Sequence, residues 1–199
     1  MKDQGAGKVE FVLNEEGFYF IEMNTRLQVE HSVTELITGV NLVEWQIRVA
    51  NGEALPLKQE EIIQNGHAFE ARLYAEDPID FRPQTGVISH LKLPTKKVRI
   101  DSGVREGDTV SIYYDPMIAK LSAHGSNRTE ALRALSSALT ETEIAGLVSN
   151  TAFLTRLVRH KSFLKPVLNS NFIDEHYEQL RAKLLLLPGA LLILSAEAI

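Results

Sequence analysis

The sequence predicts an α+β protein in which antiparallel strands precede the helices that cover them. Three observations carry that expectation. Two apolar segments, 9–13 and 18–22, flank the turn residues Asn14-Glu15-Glu16-Gly17. From residue 67 to 123 apolar and polar residues alternate, with Gly, Pro and Asp at the breaks. Beyond Thr129 the apolar residues recur at helical spacing instead.

The first pair of strands predicts a hairpin. A three-residue loop, Glu15-Glu16-Gly17, would close it with Gly17 in the left-handed position. That register opposes Asn14 to Phe18, Phe11 to Ile21, and Glu10 to Glu22. Like charges directly opposed, with Cβ atoms ~5 Å apart, are destabilising. A divalent cation between Glu10 and Glu22 removes the conflict, and Asn24 adds a neutral oxygen on the same face. Hard oxygen donors of this kind suit Mg²⁺ or Mn²⁺. A one-residue slip gives the other reading, in which one carboxylate turns to the opposite face and both are solvated surface charges.

The segment that follows is the most polar part of the N-terminal half. Glu22-Met23-Asn24-Thr25-Arg26-Leu27-Gln28-Val29-Glu30-His31 sets two carboxylates, a guanidinium and two amides directly after Phe18-Tyr19-Phe20-Ile21. Burying so many polar groups beside an apolar strand is costly without partners, which points to a metal, an anion or a substrate.

Ser32-Val33-Thr34-Glu35 reads as a capping box for a short helix that starts at about His31 and stops at Gly39. Asn41 caps a second helix, with Leu42, Val43, Trp45 and Val49 on its apolar side and Asn51-Gly52 at its end. A domain boundary is expected near Gln64-Asn65-Gly66, dividing the chain into 1–64, 65–180 and a tail, 181–199. In the next strand Phe69, Ala71, Leu73 and Ala75 share one face, and Glu70, Arg72 and Tyr74 the other. Further strands are expected at 86–93, 98–100, 109–114 and 117–123. Helices follow at 129–141, with Leu132, Leu135 and Leu139 on a stripe, after Asn150, with Phe153, Leu154, Leu157 and Val158, and near Asn171. The tail from Leu184 to Ala196 is nearly all apolar but broken by Pro188-Gly189. It is too short for a bilayer span of ~20 residues, and reads as the start of a further region or an aberrant end.

A net charge of −5 and a pI near 5.7 exclude a general nucleic-acid binder. The absence of cysteine excludes disulfides and thiolate chemistry. Met1-Lys2-Asp3-Gln4-Gly5 has no apolar signal region, so a cytoplasmic location without membrane attachment is expected, or a mitochondrial one in a eukaryote. The six histidines form no ligand cluster by spacing.

Residues 22–31 resemble the signature of biotin carboxylases, the ATP-grasp enzymes of biotin-dependent carboxylases. The likeness extends to Gly5-Ala6-Gly7 with Val9-Glu10-Phe11, and to Gly66-His67-Ala68-Phe69-Glu70-Ala71-Arg72 with Ala75-Glu76-Asp77-Pro78. It continues through Asp101-Ser102-Gly103 and Tyr113-Tyr114-Asp115-Pro116-Met117-Ile118-Ala119-Lys120-Leu121. Four ordered blocks cover roughly residues 5–180. The resemblance implies the C-terminal part of an ATP-grasp domain followed by the biotin carboxylase C-terminal domain. It implies ATP and Mg²⁺ (or Mn²⁺), and biotin carried on a separate domain.

The resemblance also assigns roles position by position. Glu10, Glu22 and Asn24 match metal ligands, and Arg26, Gln28 and Val29 match the bicarbonate-binding loop. Glu30 matches the general base that deprotonates bicarbonate for attack on ATP, giving carboxyphosphate and then CO₂ beside biotin. Arg72 matches the residue that stabilises the biotin enolate and phosphate. The plainer readings are that Arg72 pairs with Glu70 on an exposed strand face and that Glu30 is an N-terminal helix charge. Lys8 stands where a small or hydroxylated residue is expected. Lys120, outside any Met-Lys-Met segment, is expected at the surface and not biotinylated. The same resemblance implies a fragment without the N-terminal domain, the glycine-rich lid and the nucleotide-binding lysines, inactive alone. Its implied partners are bicarbonate, the biotin carboxyl carrier domain, a carboxyltransferase subunit, the missing N-terminal part, and a second copy in a homodimer. The alternatives are a non-catalytic interaction module and another ATP-grasp ligase.

Overall fold

The computed structural model describes residues 4–165 and 168–181. The apolar tail lies outside the described residues. Strands β1 (Lys8–Asn14) and β2 (Gly17–Asn24) form a two-stranded antiparallel sheet. Helices α1 (His31–Thr38) and α2 (Leu42–Ala50) follow, then a 3₁₀ turn at Gln59–Glu61.

The centre is an antiparallel sheet of β3 (His67–Tyr74), β8 (Met117–Gly125) and β6 (Arg99–Ser102), with β8 in the middle. Two small ribbons flank it: β4 (Gly86–Val87) with β7 (Thr109–Val110), and β5 (His90–Lys92) with β9 (Glu143–Ala145). Helix α3 (Arg128–Glu141) covers one face of the central sheet and α1 the other. Helix α4 (Thr151–Arg159) packs on α3, and α5 (Phe172–Glu175) and α6 (Tyr177–Leu180) close the end.

The alternation of β3 and β8 gives that sheet two unlike faces. Ala71 lies opposite Leu121 and Leu73 opposite Ala119, facing Leu132, Leu135 and Leu139 of α3 in one buried cluster. Burial of each such leucine contributes about 2 kcal/mol. On the reverse face Glu70 lies opposite Ser122 and Arg72 opposite Lys120, and β6 adds Arg99 and Asp101. Helix α1 lies over this polar face, and the loop before it reaches the same side.

Several expectations need correction. The hairpin closes through a two-residue loop, Glu15-Glu16, with Gly17 opposite Asn14 at a φ of +151° and Phe11 opposite Phe20. The Asn14 carboxamide oxygen accepts the N–H groups of Glu16 and Gly17 and stabilises the tighter turn. A bulge after Glu10 then restores the pairing of Glu10 with Glu22. Two one-residue shifts cancel. The capping box is also absent: Glu30 precedes α1, while the Ser32 hydroxyl turns to Glu70 and Ser122. Glu35 instead accepts the Leu42 N–H and pairs with Arg99. Asn41 does cap α2, accepting the Glu44 N–H at 2.9 Å, but Val43 is exposed.

The segment 86–93 changes partner at Ile88-Ser89, from β7 to β9, and so is two short strands. The segment 109–114 pairs only at its start, and Ile112, Tyr113 and Tyr114 point outward.

Candidate functional site

The hairpin, the loop 25–30 and β3 bring most of the candidate residues together. Lys8 and Glu10 lie two apart on β1, opposite Asn24 and Glu22 on β2, so the four share one face. The Asn24 amide donates to Glu10 Oε1 at 2.9 Å and to Glu22 Oε1 at 3.0 Å. Two carboxylates and a carboxamide thus converge on this face, with the Lys8 ammonium beside them. With a cation bound between the carboxylates, the amide turned over would present its oxygen where the N–H₂ now points. The donor set fits a small divalent cation. Among the described residues no group of three or more His, Cys, Asp or Glu side chains converges to hold a metal; this site offers two carboxylates and a carboxamide.

Glu30 stands at the start of α1, where its two oxygens take different cations. Lys8 Nζ lies 2.5 Å from Oε1, and Arg72 Nη2 2.6 Å from Oε2. The Lys8 ammonium, with Arg72 behind it, holds this carboxyl below the usual glutamate range against the opposing effect of partial burial. Lys8 also lies 3.0 Å from Glu10 Oε1 and so bridges the hairpin and the loop.

The loop residues differ in what they do. The Gln28 carbonyl accepts the His31 N–H at 3.2 Å and faces His31 Nδ1 at 2.9 Å, which fixes the entry to α1. The Val29 carbonyl accepts from Lys120 Nζ. Arg26 is exposed and bonds only the Leu27 carbonyl among the described residues, at 3.4 Å. The structure does not bring it to Glu30.

The plainer reading of Arg72 is corrected by the same geometry. Glu70 is not on an exposed face: its side chain is 5% exposed, and Arg72 Nε is 3.7 Å from it, while Glu30 is much closer to Arg72. Lys120, expected at the surface, is buried and also faces Asp101 at 3.3 Å and Glu70 at 3.6 Å. Sequence reasoning missed this layer of Glu70, Lys120, Ser122, Arg99 and Glu35 beneath the loop. Its signal was present in the alternation, which puts Lys120 and Ser122 on one face. Only the cross-strand register reveals that Glu70 faces them.

The family described as "Biotin carboxylase C-terminal domain" matches residues 70–175. The chain belongs to the biotin carboxylase family. The ATP binding domain of the carbamoyl-phosphate synthase L chain matches residues 1–58, the part that holds the hairpin and loop. The mitochondrial methylcrotonoyl-CoA carboxylase subunit alpha of Arabidopsis thaliana is 53% identical over 182 residues, 89% of this chain and 25% of that protein. Biotin carboxylase 2 of Bacillus subtilis is 45% identical over 173 residues, 86% of this chain and 39% of its own length. The chain therefore spans between a quarter and two fifths of these relatives.

Among solved structures, the biotin carboxylase subunit of a pyruvate carboxylase superposes with a TM-score of 0.86 at 40% identity, over 90% of this chain and 40% of that one. The biotin carboxylase domain dimer of Hydrogenobacter thermophilus 2-oxoglutarate carboxylase, solved with MgADP and bicarbonate, gives 0.86 at 39% over the same shares. The α+β fold and the ATP-grasp relationship are shared with these biotin carboxylases.

Proposed function

We propose that this chain carries the metal, bicarbonate and biotin residues of a biotin carboxylase, whose reaction is the ATP- and bicarbonate-dependent carboxylation of biotin on a carrier protein. The observation that carries this reading is the position of Glu30, clamped by Lys8 and Arg72 beside the Glu10, Glu22 and Asn24 face. A relative solved with MgADP and bicarbonate supports the choice of ligands. The division into 1–64, 65–180 and 181–199 belongs to the same proposal.

Glu10, Glu22 and Asn24 would hold Mg²⁺ or Mn²⁺, which when bound supplies positive charge to the phosphates of ATP. Arg26 is exposed, and its planar guanidinium suits a bidentate grip on bicarbonate. Gln28 and Val29 shape that loop, the latter through Lys120. Glu30 accepts the bicarbonate proton, and the oxygen so freed attacks the γ-phosphate, whose bond to ADP breaks, giving carboxyphosphate and ADP. Carboxyphosphate then splits to CO₂ and phosphate, and the phosphate takes the ureido N–H proton as that nitrogen adds to CO₂. Arg72 moves from Glu30 to the negative charge that develops on the biotin ureido oxygen and the departing phosphate. A Glu30 that takes up a proton weakens its hold on Arg72, so the two events are coupled electrostatically.

The chain alone supplies one wall of a nucleotide cleft, and holding three reactants in register needs the rest. The N-terminal part of an ATP-grasp domain, the biotin carboxyl carrier domain and a carboxyltransferase subunit complete the proposal, with a homodimer as its assembly.

The experiment is bicarbonate-dependent ATP hydrolysis with free biotin and Mg²⁺. Negligible turnover is expected from the chain alone, and turnover when the N-terminal part of a relative is supplied in trans. Replacement of Glu30 by Gln should remove the restored turnover by at least ~100-fold. Restored turnover that Glu30→Gln leaves intact would refute the assignment.

A further inference from the structure

Lys8 has no step in the proposed reaction, yet it touches two of the carboxylates that the reaction needs. Its ammonium lies 3.0 Å from Glu10 Oε1 and 2.5 Å from Glu30 Oε1. The same Glu10 oxygen takes the Asn24 amide. One carboxylate oxygen is therefore shared between a fixed cation and the residue that would turn over to meet a metal.

We propose that Lys8 is a built-in competitor of the divalent cation, its ammonium and the metal sharing the Glu10 carboxylate, so that metal entry drives Lys8 toward Glu30. The inference rests on the metal reading of Glu10, Glu22 and Asn24 given above. Charge balance carries it. The two carboxylates and a dication are neutral together, and Arg72 already answers Glu30. Lys8 then leaves an excess positive charge beside the dication. Both lie well within a Debye length of ~8 Å, so salt does not screen the repulsion away. A neutral side chain at position 8 removes it. The metal should then bind about tenfold more tightly.

A second consequence follows from the same contacts. Lys8 displaced from Glu10 has Glu30 as its remaining partner, so the metal and the position of Glu30 are linked through one side chain. Lys8 is a positioning residue in this scheme, since it acts through Glu10 and Glu30 and not on a reacting atom.

The test is a Mn²⁺ titration of the full chain followed by electron paramagnetic resonance of the free ion, at fixed ionic strength. Wild type is compared with Lys8→Met, Lys8→Arg and Glu10→Gln, each checked for folding by circular dichroism. The expected result is roughly tenfold tighter binding by Lys8→Met, wild-type affinity in Lys8→Arg, and loss of binding in Glu10→Gln. Equal affinity in wild type and Lys8→Met, with loss in Glu10→Gln, would overturn the competition and leave the metal reading standing. Tightening in both Lys8 variants alike would overturn it too, because charge would not be the cause. No binding by wild type or Lys8→Met, or binding that Glu10→Gln leaves unchanged, would overturn the metal reading and the competition with it.

Discussion

Glu35 and Glu30 are both paired carboxylates, but burial makes their consequences differ. Glu35 is 8% exposed, accepts the Leu42 N–H at 2.6 Å and pairs with Arg99. Burial pushes its carboxyl up, and the Arg99 guanidinium with the Leu42 N–H outweighs that and holds it below the usual range. A folded value below the unfolded one means stability that is present above the ordinary glutamate range and lost as pH falls through the folded value. Thermal unfolding of the wild type should therefore worsen between about pH 5 and pH 3. Glu35→Gln should start about 2 kcal/mol less stable at pH 7 and lose less over that window. Parallel profiles in the two chains would contradict the assignment. Glu30 is more than one-third exposed, so its pairs with Lys8 and Arg72 are screened by water. Glu30→Gln should change stability by less than ~1 kcal/mol, measured in urea, while removing the restored turnover. A large stability loss there would show a structural role in place of a chemical one.

At the scale of elements, the reverse face of β3–β8–β6 supports the loop 25–30. Lys120 is the keystone: it donates to the Val29 carbonyl and faces Glu70 and Asp101. A methionine there fills the volume but removes the buried ammonium shared by Glu70 and Asp101, leaving Glu70 with Arg72 alone as a cation among the described residues, at 3.7 Å. Lys120→Met should cost about 3 kcal/mol in urea unfolding and raise proteolytic cleavage within 25–30 before global unfolding. Unchanged cleavage would mean that the loop holds its shape without Lys120. The same pleat that buries Leu73 and Leu121 against α3 thus presents Lys120 to the loop, so packing and site are two sides of one sheet.

The molecule as a whole is unevenly stabilised. The central sheet is covered on both faces, whereas the β1–β2 ribbon has two strands and apolar residues exposed on both of its faces. Leu13 and Phe18 are 78% and 71% exposed, and Phe11, Tyr19, Phe20 and Ile21 are exposed as well. A two-stranded ribbon is marginal in water unless something packs on it, and an apolar patch of this kind marks an interaction surface. The N-terminal part of an ATP-grasp domain is the proposed occupant. Amide exchange should be fastest in Lys8–Asn14 and Gly17–Asn24 and slowest in β3 and β8, and the N-terminal part of a relative should protect the ribbon selectively. Equal protection of ribbon and central sheet in the isolated chain would refute this. No helix among the described residues is long and apolar enough to cross a membrane.

The sequence by itself determined the α+β order, the leucine stripe of α3, the cap of α2 and the ten-residue polar run, because each rests on local periodicity or local turn chemistry. It also placed Glu10 opposite Glu22, although through a wrong turn and without the bulge that restores the pairing. What only the tertiary structure decided are the contacts made across large sequence separations. Lys8 meets Glu30, Arg72 meets Glu30 in preference to Glu70, Ser32 turns from its helix to Glu70, and Lys120 is buried under Val29. The physical reason is that a polar side chain is paired by whichever partner the fold brings within reach; for the buried Lys120 and Glu70 the cost of an unpaired charge in the interior exceeds any local preference.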